Sequence, residues 1–326
     1  PLDRYLFLVS AQGEGYGGLE HSYATSLMCV RDDFPRPGTE ATEPPGAGYR
    51  RFLGLCSHEY FHLWNVKRIR PQALMDGGLE REVHTRLLWA FEGITSYYDD
   101  LVLVRSGCID ESAYLELLAH AITRVLSTPG RLVQTLAESS FDAWTKLYKA
   151  DENAPNAMVS YYAKGTLVAL ALDLTIRRDT KGARSLDDVM RALWERHGRT
   201  GIGVPERGVE ALAAEVTGLD LADFFRQALD STQDIDLAPL LAQIGIELCL
   251  RPARGAKDQG GLAKDAAGAM PPASPVLGVR LQSQGSEAII ASVLSGGAAL
   301  AAGLAAGDTL VAVEGLRVTR KNLDAL

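Results

Sequence analysis

His58-Glu59-Tyr60-Phe61-His62 brings two imidazoles and a carboxylate into one short run. The stretch Phe52 to Val66 suits a helix, and on a helix residues four apart lie one turn up and about 40° round from each other. Both rings then project from one face and can grip one metal ion. Glu59 follows the first histidine and can reach the same side. Histidines at this spacing suit zinc, and the carboxylate can take a proton from the water that zinc activates, which is hydrolytic chemistry. The same five residues also suit a partly buried helix whose histidines bond to backbone, so the motif needs support from elsewhere in the chain.

A catalytic zinc takes three protein ligands and keeps one position open. The segment Trp89 to Tyr98 offers a third ligand in Glu92. A carboxylate inside an apolar helix is costly unless something pairs with it, and a metal would offset that cost; an exposed helix face is the alternative. Trp89, Phe91 and Ile94 surround Glu92. Gly93 weakens a helix and points to close approach by something bulky, which fits a neighbouring helix across the site. Asp99 and Asp100 could orient a ligand histidine or stand in solvent. Arg68 and Arg70 read as a solvated face or as ion-pair partners for Asp99, Asp100 or Glu80, in preference to substrate contacts.

These residues need elements to position them. Tyr5 to Ser10 reads as a strand, Gly13 to Gly18 as a turn, and Ser22 to Val30 as a second strand. Prolines and glycines make 34–48 a loop before the metal helix. A second helix is expected from Glu82 to Arg105, stopping at Gly107. Beyond it the chain is mostly helical. Asp110 and Ser185 are N-caps for 111–126 and 186–197, Val159 to Arg178 is a long apolar helix, Pro205 suits the first turn of another, and Asp220 caps a last one. Ile244 to Leu250 alternates like a strand. Residues 251–275 read as a mobile loop, and short β-type runs follow at 276–281, 288–293 and 309–313.

The chain has 326 residues and a net charge of −8, with 47% hydrophobic and 23% charged residues. That is ordinary globular composition, long enough for two domains. The negative charge gives no reason to expect nucleic acid or an anionic membrane as partner, and no apolar run is long enough to span a bilayer. The four cysteines form no CxxC pair, and buried free thiols are the expectation, which favours a reducing, cytoplasmic setting. The chain opens Pro1-Leu2-Asp3-Arg4 without an initiator Met, so it is read as an internal fragment.

Four segments in order carry a family resemblance: Gly15-Tyr16-Gly17-Gly18-Leu19-Glu20-His21, the run from His58 to Pro71, Phe91 to Leu101, and Ser160-Tyr161-Tyr162-Ala163-Lys164-Gly165. Together they resemble the glycyl aminopeptidase family of zinc metallopeptidases, within the gluzincin group. Val276-Leu277-Gly278-Val279, Ala302-Gly303-Leu304 and Gly307-Asp308-Thr309-Leu310 resemble a PDZ domain. The fold this implies is an α/β thermolysin-like metallopeptidase domain at 1–235, α/β over about 1–107 and mainly helical over 108–235. A small β-rich PDZ-like domain, incomplete at its end, follows at 236–326.

The resemblance implies roles. His58, His62 and Glu92 would bind Zn2+ and Glu59 would be the general base. Tyr162 would donate a hydrogen bond to the developing oxyanion, with Tyr161 beside it; on spacing alone either is a core aromatic. Glu20 would hold the substrate's amino group, Gly18 would let backbone approach the peptide, and His21 would contact substrate or close its loop. Gly278 would lie in a loop that holds a peptide carboxylate. The activity implied is an aminopeptidase preferring Gly or Ala at the amino terminus, acting on peptides or proteins. A PDZ-assisted endopeptidase and a catalytically vestigial scaffold are the alternatives.

Overall fold

The computed structural model describes residues 2–35, 45–78, 80–255, 258–261, 275–323 and 326. Three strands open the chain: β1 (Leu6–Gln12), β2 (Gly17–Glu20) and β3 (Ala24–Val30). Their order is β1-β3-β2, with β1 parallel and β2 antiparallel to β3. Thr25, Leu27 and Cys29 alternate with exposed Ser26 and Met28, which gives β3 one inward face. Leu27 and Cys29 pack on Phe52 and Leu55 of α1 (Ala47–Phe61), so the sheet rests on the helix that carries the histidines. Gly17 and Gly18, expected in a turn, form part of β2, which is an edge strand among the described residues.

The helix that carries the histidines starts earlier and stops earlier than the expected 52–66. At its end the buried Asn65 amide donates to Ala90 O and to Thr95 Oγ1, 3.1 Å each, tying α1 to the next functional segment. The short α2 (Gln72–Asp76) follows. The helix expected from Glu82 begins only beyond Thr85. Thr85 donates to Glu206 at 2.7 Å while accepting from Leu87 N, and Glu206 also takes Arg86 N at 2.8 Å. That clamp holds 85–86 out of the helix. A π turn (Trp89–Gly93) then runs into α3 (Ile94–Arg105), Ile94 N donating to Trp89 O five residues back.

The helical half comprises α4 (Glu111–Leu126), α5 (Leu136–Phe141), α6 (Ala154–Ala157), α7 (Tyr161–Asp179), α8 (Leu186–Leu193), α9 (Gly208–Thr217), α10 (Ala222–Asp230) and α11 (Ala238–Ala242). Asp110 caps α4 through Ala113 N at 2.7 Å, and Ser185 with Asp188 makes a capping box on α8. Pro205 stands ahead of α9, its carbonyl accepting from Gly208 N. α7 is buried on nearly every side and is the axis of the main core. Its buried Asp173 accepts from Tyr97 Oη, Leu186 N and Arg177 Nε at 2.7–2.9 Å, joining α7 to α3 and α8.

Leu237, Leu240 and Leu241 belong to that core, and Ile246 and Leu248 pack on it. Residues just beyond 235 therefore stay with the helices. Ile244 to Leu250 is not a strand; its alternation turns Ile246 and Leu248 toward the helical core. Most of 251–275 lies outside the described residues.

The β-rich module holds β4 (Val279–Leu281), β5 (Ala288–Val293), α12 (Ala298–Ala301), β6 (Thr309–Leu310), β7 (Ala312–Val313) and β8 (Leu316–Arg317). Val279, Ile290 and Ala299 give it a small core of its own. Among the described residues no helix is long and apolar enough to cross a membrane. All four cysteines are free, but only Cys29 is fully buried; Cys108 and Cys249 are exposed, against expectation.

Candidate active site

His58 lies in α1, His62 caps its C-terminal end, and Glu92 comes from the π turn. The two Nε2 atoms are 3.0 Å apart, and Glu92 Oε2 stands 3.3 Å from each. Each ring's other nitrogen is committed. His58 Nδ1 meets Asp99 Oδ2 and His62 Nδ1 meets Asn65 O, both at 3.0 Å. Carboxylate and carbonyl oxygens accept, so these bonds assign the proton to Nδ1 in both rings. Two Nε2 lone pairs and a carboxylate oxygen then converge with no donor between them among the described residues, where Glu92 Oε2 is buried without a hydrogen-bond partner. A cation resolves that arrangement. Ligands about 2.1 Å from a tetrahedral ion stand about 3.4 Å apart, close to the spacing here. The donor set fits a divalent metal.

Without a metal, a proton takes its place. Burial alone would push the His58 ring down, but the bonds to Asp99 and Glu92 outweigh it and push it up to about 10. Burial would raise Glu92, yet the two histidines pull it down to about 2. Asp99 is the expected orienting partner of His58, and its Oδ1 accepts from Asp100 N at 2.6 Å.

The glycine in the second helix has a direct cause. A Cβ on Gly93 would stand 2.5 Å from Gly165 Cα, so the α7 backbone passes against the π turn. The neighbour is a helix, as expected, but it presents a glycine and nothing bulky. This contact brings Tyr161 and Tyr162, at the start of α7, to the group formed by His58, His62 and Glu92. The Tyr162 ring lies 6.3 Å from that of His58 and stacks on Tyr161 at 4.7 Å. Tyr161 is buried; Tyr162 lines a cavity of about 530 Å³ that also reaches Asp99 and Asp100. The Tyr148 hydroxyl is 3.2 Å from Tyr161 Oη and 3.5 Å from Tyr162 Oη.

Glu59 is buried on the sheet side of α1, and its Oε2 has no hydrogen-bond partner among the described residues. Burial raises its pKa, opposed by His58 and His62. Gly18 of β2 lies directly over it: a Cβ there would collide with Glu59 Oε1. Ligand atoms of Glu20, Glu59 and His62 lie within 4.8 Å of one another, so β2 brings Glu20 to the same cleft. Lys67 Nζ is 3.0 Å from Glu20 Oε1. His21 is exposed and closes the β2–β3 turn, its N donating to Ala24 O and its ring meeting Leu19 O.

Arg68 and Arg70 do not pair with carboxylates among the described residues. Arg68 donates to Leu63 O at 2.7 Å and lies over the Tyr23 ring; Arg70 donates to Lys67 O. Gly278 adopts a left-handed φ of 78° before β4, and its carbonyl accepts from Leu294 N. It is remote in sequence and in bonding from the metal cluster. Sequence reasoning missed Lys67, Asn65 and Tyr148. Lys67 sits in a basic run with nothing to single it out, and the contacts of the Asn65 side chain with Ala90 and Thr95 and of Tyr148 with Tyr161 and Tyr162 are made only by the fold.

Residues 51–168 match the model of the M61 glycyl aminopeptidase family, and residues 271–325 match that of the PDZ domain. No curated protein matches. The chain is similar to the crystal structure of an aminopeptidase N family protein from Idiomarina loihiensis, with 38% identity and a TM-score of 0.91; the match covers 98% of this chain and 53% of that one. The chain thus spans about half the length of that solved relative. The segment similar to the M61 glycyl aminopeptidase family contains His58, His62 and Glu92, and the segment similar to the PDZ domain contains the β-rich module.

Proposed function

We propose that the chain is the catalytic part of a zinc aminopeptidase acting on peptides with small amino-terminal residues, Gly or Ala. The observation that carries this reading is the convergence of His58 Nε2, His62 Nε2 and Glu92 Oε2 beside the buried, unpartnered Glu59. Two imidazoles and one carboxylate suit zinc. When bound there, zinc supplies a Lewis acid for the scissile carbonyl and makes water nucleophilic near neutrality.

This chain's own residues do the rest. Glu59 accepts a proton from the attacking water and passes it to the leaving amine; its raised pKa suits both transfers. Tyr162 donates a hydrogen bond to the oxygen that gains charge in the transition state. β2, an edge strand among the described residues, offers that edge to the peptide backbone, with Gly18 permitting close approach and Glu20 anchoring the amino terminus. Asp99 and Asn65 keep the histidine rings turned toward the metal. The preference for Gly or Ala comes with the family.

Hydrolysis of Gly-p-nitroanilide against its N-acetylated form tests the reading, because an aminopeptidase must lose the blocked substrate. A PDZ-assisted endopeptidase is the second reading, favoured by one observation: Glu20 already has a cation, Lys67. Equal cleavage of both substrates selects it. A protein with no zinc and no cleavage of either is a vestigial scaffold.

A further inference from the structure

We infer that Lys67 is a specificity-determining residue: its ammonium stands at Glu20 in the place of a substrate's amino terminus and competes with it. The inference rests on Glu20 being the amino-terminal anchor.

Lys67 Nζ lies 3.0 Å from Glu20 Oε1, in a half-sheltered pair. The Lys67 backbone N donates to His62 O at 2.9 Å. The side chain is therefore tethered to the end of the metal helix, and its ammonium is held near the cleft at high local concentration. Glu20 is in turn within reach of Glu59 and His62. A peptide whose carbonyl approaches Glu59 delivers its own ammonium to a carboxylate that is already neutralised.

Two routes remain open to that ammonium. It can share Glu20 with Lys67, which sets two cations beside one carboxylate, or it can displace Lys67 and break the existing pair. Both weaken binding of a free amine. A ligand without an ammonium meets neither cost. Lys67 thus narrows the gap between free-amine and blocked ligands that Glu20 alone would create. A purely structural Lys67, which merely holds Glu20 in place, makes the opposite prediction, because its loss would weaken free-amine binding.

The test is isothermal titration of the zinc-loaded full chain with glycine hydroxamate and with acetohydroxamate. The two share a metal-binding head, and only the first carries an ammonium. Lys67→Met should tighten glycine hydroxamate by roughly fivefold, the scale of a half-exposed ion pair, and leave acetohydroxamate unchanged. Lys67→Arg keeps the charge and should behave as wild type. In steady state, Lys67→Met should lower KM for Gly-p-nitroanilide with kcat held. Unchanged or weaker glycine hydroxamate binding in Lys67→Met overturns the competition. Glu20→Gln separates the two ideas. If it abolishes the preference for glycine hydroxamate while Lys67→Met does nothing, the anchor stands and the competition fails. If Glu20→Gln leaves the preference intact, the anchor itself has failed and the inference falls with it.

Discussion

On the proposed reading Glu59 and the three residues proposed to hold the metal divide the work, so their substitutions should fail differently. Glu59→Gln should keep its metal, because no ligand changes, and lose roughly 10²–10⁴-fold in kcat; zinc analysis beside anilide hydrolysis separates the two effects. Asp99→Asn should weaken metal binding by about 10–100-fold, since the His58 ring loses the carboxylate that orients it; competition with a chromogenic chelator reads this. Tyr162→Phe should cost roughly 10²–10³-fold in kcat, measured against Tyr161→Phe, which removes a hydroxyl directed to Tyr148. At this scale the histidine pair was legible because its geometry is local to one helical turn. Glu92 was legible from its apolar surroundings. Lys67 and Asn65 were not, because each gains its meaning from a partner that only the tertiary fold supplies.

Elements matter here through two contacts. Gly93→Ala would drive a methyl against the Gly165 backbone at 2.5 Å, and neither chain can swing aside as a side chain would. The π turn or α7 must shift, so the variant should lose about 1–3 kcal/mol of stability and bind metal less tightly; thermal melts with and without zinc check both. Asp173→Ala would leave Tyr97 Oη and Leu186 N buried without an acceptor. A loss of roughly 2–6 kcal/mol follows from those two groups, measured by urea denaturation. The caps at Asp110 and Ser185 were legible in the sequence, since a cap bonds within its own first turn. The late start of the second helix was not, because Glu206 clamps Thr85 from across the fold. β2 was hidden as well. Gly17 and Gly18 lack strand propensity, and β3 supplies the pairing.

For the whole molecule, the titrating groups give two pH signatures. His58 in the metal-free protein holds a proton up to about pH 10, and a metal must expel it. Zinc binding should release protons and strengthen as pH rises toward 10, read from the dependence of binding enthalpy on buffer. Lys164 of α7 has its Nζ buried and without a hydrogen-bond partner among the described residues, and burial lowers its pKa. Its folded pKa lies below the unfolded value of about 10.4. Between the two the unfolded chain binds more protons, so stability rises with pH. Lys164→Met should therefore be more stable than wild type at pH 7, with the gap closing as pH passes about 10.4; paired melts at several pH values check it. The helix-rich domain followed by a β-rich module was legible at this scale from composition and motif order. The reach of the helical core past residue 235 was not, because Ile246 and Leu248 alternate like a strand while packing on helices.

The central claim is that His58, His62 and Glu92 hold one catalytic divalent ion. Zinc stoichiometry by mass spectrometry on wild type, Glu59→Gln and Glu92→Gln tests it most directly. About one zinc per chain in the first two and a marked loss in Glu92→Gln is the predicted result. Equal zinc in wild type and Glu92→Gln, or none in wild type, would contradict it.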